Sequence, residues 1–302
     1  MADSHHTHAP PAYDRAFAIG AALNIGFVLA EVGFGVAAHS MALLADAAHN
    51  LGDVLGLLLA WGAVWLGRLA PSTSRTYGWG RSSILASLTN AAVLLIGVGG
   101  IAVEAIQRIF DPQPVAGATV MWVAAAGIVV NGVTALMFMR GRETDLNIRG
   151  AFLHMAVDAL VSLGVVIAAV LIQFTGGLWI DPVTSLAIAA VIAIGTWELL
   201  RDSVNLALDA IPEGIDRRAV ELYLTGTPGT LEVHDLHIWA LSTTDTALSV
   251  HLVRDAAGSQ ADDALHQMAE ALAGHFHIRH ATFQLETPAQ AEHCRLRSEA
   301  VV

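Results

Sequence analysis

From about residue 16 to about residue 200 the chain alternates long apolar runs with short polar breaks. Six runs reach the roughly 20 helical residues that a bilayer core of about 30 Å requires. They cover roughly residues 16–38, 41–66, 83–107, 119–139, 149–174 and 180–200. The breaks include "RLAPSTSRTYGWGR", "FDPQPVAGA", "RGRETDLN" and "TGGLWIDP", which carry turn chemistry. Beyond residue 202 the pattern changes. "PEGIDRRAVELYLTGTPG" predicts an amphipathic helix with a Gly/Pro stop. "TLEVHDLHIWAL" and "TALSVHLV" predict strands joined by "STTD". Residues 259–275 predict a second helix and "HIRHATFQLE" a third strand. The last dozen residues look frayed.

These patterns predict an α-helical polytopic membrane protein with six transmembrane helices and a C-terminal α+β domain of order αββαβ. The boundaries are a polar tail at 1–15, a membrane domain at 16–202, a cytoplasmic domain at 203–288 and a flexible end at 289–302. "MADSHHTHAPPAYDR" lacks the basic and apolar regions of a signal peptide. All fifteen basic residues are Arg. Arg68, Arg75, Arg81, Arg140, Arg142, Arg149 and Arg201 fall on one side of the six segments, and only Arg108 on the other. By the positive-inside rule both termini are cytoplasmic, in a cell (inner) membrane.

Composition narrows the function. Charged residues make up 14% of the chain, against about 25% in soluble domains. A net charge of −12 argues against nucleic acid as a partner. The single cysteine, Cys294, excludes an internal disulfide and a Cys-rich metal site.

The second segment holds "LLADAAHNLGDVLGLLLAW", with Asp46, His49, Asn50 and Asp53 in a stretch otherwise suited to lipid. Ionisable residues there cost at least about 2.5 kcal/mol each and are candidates for function. His49 and Asp53 are four apart, so they share one helix face. The fifth segment repeats the spacing with His154 and Asp158. Counted along their segments, both pairs lie roughly 12–14 Å deep. Two imidazoles and two carboxylates suit tetrahedral Zn²⁺, and the two carboxylates cancel its charge in low dielectric. The lack of thiolate disfavours Cu(I), and the imidazoles disfavour Mg²⁺ and Ca²⁺. Co²⁺, Cd²⁺, Ni²⁺, Mn²⁺ and Fe²⁺ remain compatible. Without metal the same groups accept protons, which an entering ion must displace. A site exchanging the two and opening to each side in turn is an antiporter. The simpler alternative, helix-to-helix bonding without metal, suits one pair better than two matched pairs.

Asp46 is expected beside this site rather than in it. Asn24, Glu31, Asn50, Asn90, Glu104 and Asn131 are expected to hydrogen-bond between helices, and Glu31 is also a candidate to line the ion path. A membrane metalloenzyme would be signalled by H-E-x-x-H or G-x-S-x-G, and neither occurs. A passive channel or metal sensor would need no proton exchange.

The chain from residue 13 to about 288 resembles the cation diffusion facilitators. The resemblance rests on "HSMALLADAAHNLGD", "RTYGWGRSSILASLTN", "LNIRGAFLHMAVDALVSLGVV", "TPGTLEVHDLHIWAL" and "HATFQLE". The His-Asp/His-Asp form is similar to the zinc-preferring branch, close to bacterial cobalt–zinc–cadmium resistance exporters. The resemblance implies a homodimer with a ferredoxin-like cytoplasmic domain and Zn²⁺/H⁺ antiport out of the cytoplasm. It puts the transport site at His49, Asp53, His154 and Asp158. It also implies metal binding in the cytoplasmic domain, where His234, His237, His251, His280 and Glu286 match. Strand alternation puts His234 and His237 on opposite faces, unless the strand bends. His266 is a weaker candidate. His5, His6 and His8 either collect metal loosely or form a plain terminus. Residues 67–82 contain no His, Asp or Glu, so the second site that some relatives have there is not expected.

Overall fold

The computed structural model describes residues 11–139, 146–254 and 261–298. Each apolar run is a helix: α1 (Pro11–Ala38), α2 (Met41–Gly67), α3 (Ser82–Phe110), α4 (Gly117–Phe138), α5 (Leu146–Thr175) and α6 (Ile180–Ala207). The helices overrun the apolar stretches, most at α6, which continues through Arg201, Asp202 and Asn205. Backbone hydrogen bonding does not stop where lipid-compatible side chains do. Among the described residues, five helices, α2 to α6, are long and apolar enough to cross a membrane. Within α1 the described stretch Ala22–Ala38 is apolar but shorter. The chain is a multi-pass helical membrane protein followed by a small α/β domain.

The chain divides into two compact units, Met1–Leu58 with Asn90–Glu198, and Leu59–Thr89 with Leu199–Val302. In the first, small and branched residues of all six helices make one core, including Ala38, Ala45, Val98, Ala124, Val165 and Ile188. Large apolar side chains such as Ile96, Trp122, Phe174 and Ile194 face outward, as lipid contact allows. Glycine sets one close approach. A Cβ on Gly52 would meet Leu94 at 2.0 Å, so a larger residue there would push α2 from α3.

The start of α2 is held by α6. The buried Asp181 carboxylate accepts from Ser40 Oγ at 2.5 Å and from the Met41 amide at 2.6 Å. These satisfy donors that a helix N-terminus leaves without intrahelical partners. Arg108 of α3 donates to the His39 carbonyl at 2.6 Å. The end of α2 nearest His49 is thus fixed by two other helices.

The second unit contains α7 (Arg217–Thr225), β1 (Thr230–Ala240), β2 (Thr246–Arg254), α8 (Ala261–His275), β3 (Ile278–Glu286) and α9 (Pro288–Glu292). β1 pairs antiparallel with β2, and β2 pairs parallel with β3. Val220 and Leu224 of α7 and Met268 and Leu272 of α8 pack with Leu248, Val250 and Leu252 on one sheet face. The other face carries the polar residues. In the same unit, residues 75–83 touch the turn after β1. Ser83 Oγ accepts from the Thr243 amide at 3.0 Å, and a Cβ on Gly80 would lie 2.8 Å from the Leu241 carbonyl.

Candidate metal centres

The i,i+4 spacing on α2 and α5 brings four side chains together. His49 Nε2 lies 3.1 Å from Asp158 Oδ1 and 4.0 Å from Asp53 Oδ2. His154 Nε2 lies 3.2 Å from Asp53 Oδ2 and 3.7 Å from Asp158 Oδ2. Each carboxylate therefore stands between two imidazoles. Zinc–nitrogen and zinc–oxygen bonds of about 2.0–2.2 Å put tetrahedral ligand atoms about 3.3–3.6 Å apart, and the four distances bracket that range. Donor atoms of His49, Asp53 and Asp158 lie within 4.8 Å of one another, and His154 reaches the two carboxylates from α5. Asp158 is fully buried, whereas the His154 side chain is 42% exposed. Oδ2 of Asp53 and of Asp158 is buried without a hydrogen-bond partner.

The neighbouring polar residues divide. Asp46 accepts from Ser162 of α5 at 3.0 Å, and Asn50 donates to Glu31 of α1 at 3.1 Å. Both link helices beside the four-residue cluster. Asn90 approaches Gly56, where a Cβ would meet its Nδ2 at 2.9 Å. Two expectations fail. Glu104 pairs with Arg108 on its own helix rather than with another. Asn131 is buried with neither side-chain polar atom bonded.

A second cluster forms on the polar face of the sheet. His251 Nδ1 is 3.0 Å from Glu286 Oε1, and His234 Nε2 is 3.3 Å from Glu286 Oε2. Cys294 Sγ is 3.6 Å from His251 Nδ1. Donor atoms of His234, His251, Glu286 and Cys294 all lie within 4.8 Å of one another. The His234, His251 and Glu286 side chains are 5%, 9% and 7% exposed. Both His234 ring nitrogens and Glu286 Oε2 are buried without hydrogen bonds, because the 3.3 Å approach is poorly aligned.

The strand bends, so the alternation that put His234 and His237 on opposite faces does not hold. The β1–β2 register shifts between them, and Asp235 there has φ 51. The bulge adds one residue to the count. His234 then pairs with His251 and His237 with Ser249, which both lie on the polar face. Sharing a face does not bring His237 into the cluster. It meets Asp235 Oδ1 at 2.9 Å and is 43% exposed. His280 also stands apart, its ring 5.4 Å from that of Tyr77. Six strand positions separate it from Glu286, about 20 Å along β3. His266 pairs on the surface with Glu270 of its own helix. His5, His6 and His8 lie outside the described residues.

Two residues escaped the sequence reading. Asp235 Oδ2 lies 3.4 Å from His251 Nε2. A carboxylate behind an imidazole favours the tautomer that leaves the other nitrogen's lone pair for a metal. Cys294 follows α9 in the end expected to fray. Thr287 and Gln290 form a capping box with Pro288 at the first helical position, a start signal that was present in "TPAQ". Arg297 then makes two bonds to Glu232 of β1, at 2.9 and 2.7 Å. That guanidinium holds the Glu232 carboxyl below its usual range.

Comparison with known proteins identifies the class. The family profile described as "Cation efflux transmembrane domain" matches residues 17–206, and "Cation efflux protein, cytoplasmic domain" matches residues 212–288. The chain belongs to the cation efflux family, the cation diffusion facilitators, and is a metal cation efflux transporter rather than an enzyme. It is 36% identical over 287 residues to the metal cation efflux system protein CzcD of Cupriavidus metallidurans, covering 95% of this chain and 90% of that one. It is 35% identical over 288 residues to a cadmium, cobalt and zinc/H(+)-K(+) antiporter of Bacillus subtilis, covering 94% and 92%. It is 36% identical over 305 residues to the zinc transporter ZitB of Escherichia coli, covering 98% and 96%.

Proposed function

We propose that this protein exports Zn²⁺ from the cytoplasm in exchange for protons, with His49, Asp53, His154 and Asp158 holding the ion on its way. Co²⁺ and Cd²⁺ are secondary cargo of the same site. The observation that carries the reading is the ring of two imidazoles and two carboxylates from α2 and α5, spaced close to the edges of a zinc tetrahedron. Two carboxylates neutralise the dication, which lowers the cost of holding it within a membrane protein. The ligands must shed their protons for metal to bind, so each loading step releases protons and each unloading step takes them up. The relatives named for zinc transport and for zinc/H(+) exchange support the same chemistry.

In this reading the transporter is a homodimer in the inner membrane with both termini in the cytoplasm. The cytoplasmic domain binds metal at His234, His251 and Glu286, while His237 and His280 are not ligands. Purified protein in proteoliposomes tests the transport claim. An imposed pH gradient drives Zn²⁺ uptake against its own concentration gradient, and dissipating the pH gradient stops it. Uptake that ignores the pH gradient would favour a passive channel.

A further inference from the structure

We propose that Cys294 is the fourth ligand of the cytoplasmic metal site, so that metal occupancy fastens the C-terminal segment, α9 and the residues after it, onto the sheet. This rests on the reading above that His234, His251 and Glu286 bind metal. Strands β1, β2 and β3 each supply one donor to the cluster and leave one tetrahedral corner to fill. Among the described residues, the side chain from beyond β3 that enters is Cys294, eight residues after Glu286. A zinc–sulfur bond of about 2.3 Å beside a zinc–nitrogen bond of about 2.0–2.1 Å puts the two ligand atoms about 3.5 Å apart. The measured distance from Cys294 Sγ to His251 Nδ1 is 3.6 Å.

Several of the donor atoms have no other partner, although Glu286 Oε1 accepts from Gln284 at 2.9 Å. Both nitrogens of the buried His234 and Oε2 of the buried Glu286 have no hydrogen bond. Unsatisfied polar atoms cost about 1–3 kcal/mol each when buried, and a cation answers Oε2 of Glu286 and the His234 nitrogen that faces it, Nε2. Asp235 occupies the far nitrogen of His251 at 3.4 Å, which leaves Nδ1 to face the cluster.

Charge agrees. A thiolate and a carboxylate together balance a dication, as two carboxylates do in the membrane cluster. The thiol gives its proton to water as the metal–sulfur bond forms. A soft sulfur ligand tilts the site toward Zn²⁺ and Cd²⁺ over Mn²⁺. The capping box at Thr287 turns the chain directly after β3, and Arg297 binds Glu232 across the sheet. Cys294 sits between these two ties, so a metal–sulfur bond there fixes the segment at its centre.

The chain contains one cysteine, so every thiol signal reports this position. Full-length protein in detergent is titrated with Cd²⁺, and thiolate-to-cadmium charge-transfer absorption is followed in the ultraviolet. The expected result is one saturating transition, lost in Cys294→Ser and in His251→Ala. Zn²⁺ is expected to block maleimide labelling of Cys294 and to slow hydrogen exchange over residues 288–297, and a chelator to reverse both. Metal binding that depends on His251 but gives no charge transfer would overturn the Cys294 assignment and leave the three-ligand reading standing. Charge transfer that persists in His251→Ala would show a thiol binding metal by itself and would also overturn it. Charge transfer with unchanged exchange over 288–297 would overturn the fastening. No His251-dependent binding at all would sink the reading on which the inference rests.

Discussion

The two clusters have the same charge plan and different architecture. Each pairs two imidazoles with two groups that become anionic on a metal. In the membrane cluster all four come from two helices, as two i,i+4 pairs, and three of the four side chains are 21–42% exposed. In the cytoplasmic cluster they come from three strands and the segment beyond them, and the three strand residues are at most 9% exposed. The first arrangement suits exchange, because a shift of one helix past the other changes every distance between the pairs at once. The second suits retention, because a sheet fixes three donors and the closing ligand arrives from outside it. In the proposed reading, nitrogen and oxygen donors that are partly exposed serve where an ion passes, and an enclosed set that includes sulfur serves where an ion stays.

The largest effect is expected from removing an anion from the membrane cluster. In Asp158→Ala or Asp53→Ala, zinc transport is expected to fall by at least about 100-fold, beyond the 10–100-fold typical of residues that only support a ligand. The protein should remain folded by size-exclusion, because Oδ2 of each carboxylate is unbonded and Asp158 Oδ1 loses only its bond to His49 within the cluster. Near-normal transport in either variant would remove the membrane cluster from the ion path.

A second contrast lies within the cytoplasmic domain. The double variant His251→Ala/Glu286→Ala is expected to lower zinc stoichiometry by calorimetry on the full chain. His237→Ala and His280→Ala are expected to leave it unchanged. Equal losses in all of them would mean that the polar face binds metal diffusely. A smaller effect is expected from His49→Asp, which replaces an imidazole by a harder oxygen donor. Transport competition should shift toward Mn²⁺ or Cd²⁺, and an unchanged metal profile would count against ligand hardness as the selector.

The mildest prediction concerns pH. Arg297 lowers the Glu232 carboxyl below its ordinary range. This tie therefore contributes above the ordinary glutamate value and is lost as pH falls through the lowered one. Below about pH 4, hydrogen exchange over residues 293–298 should accelerate, and Arg297→Ala should show the faster exchange at neutral pH.

The membrane half was legible because its information is local. Apolar length marks a span, and a four-residue interval fixes a helix face whatever the helix packs against. His49, Asp53, His154 and Asp158 could thus be grouped before any contact was known. The cytoplasmic cluster was legible only in part. His234, His251 and Glu286 came from resemblance, with His237 and His280 attached to them. Strand alternation failed at Asp235, where a left-handed backbone inserts a residue and no residue type announces it. His280 has the right face but the wrong height along β3. Cys294 lies in the stretch whose polar sequence predicts fraying, although Thr287, Pro288 and Gln290 spell a helix start just before it. Asp46 and Asn50 needed partners on other helices, Ser162 and Glu31, which spacing on one helix cannot supply.

The most direct test of the membrane site is zinc X-ray absorption on full-length His251→Ala/Cys294→Ala protein, in which the cytoplasmic cluster is dismantled. The expected result is four nitrogen and oxygen ligands at about 2.0–2.2 Å, with imidazole scattering from two histidines and no sulfur, all lost when Asp158→Ala is added. A six-coordinate shell, or a zinc signal indifferent to Asp158, would contradict it.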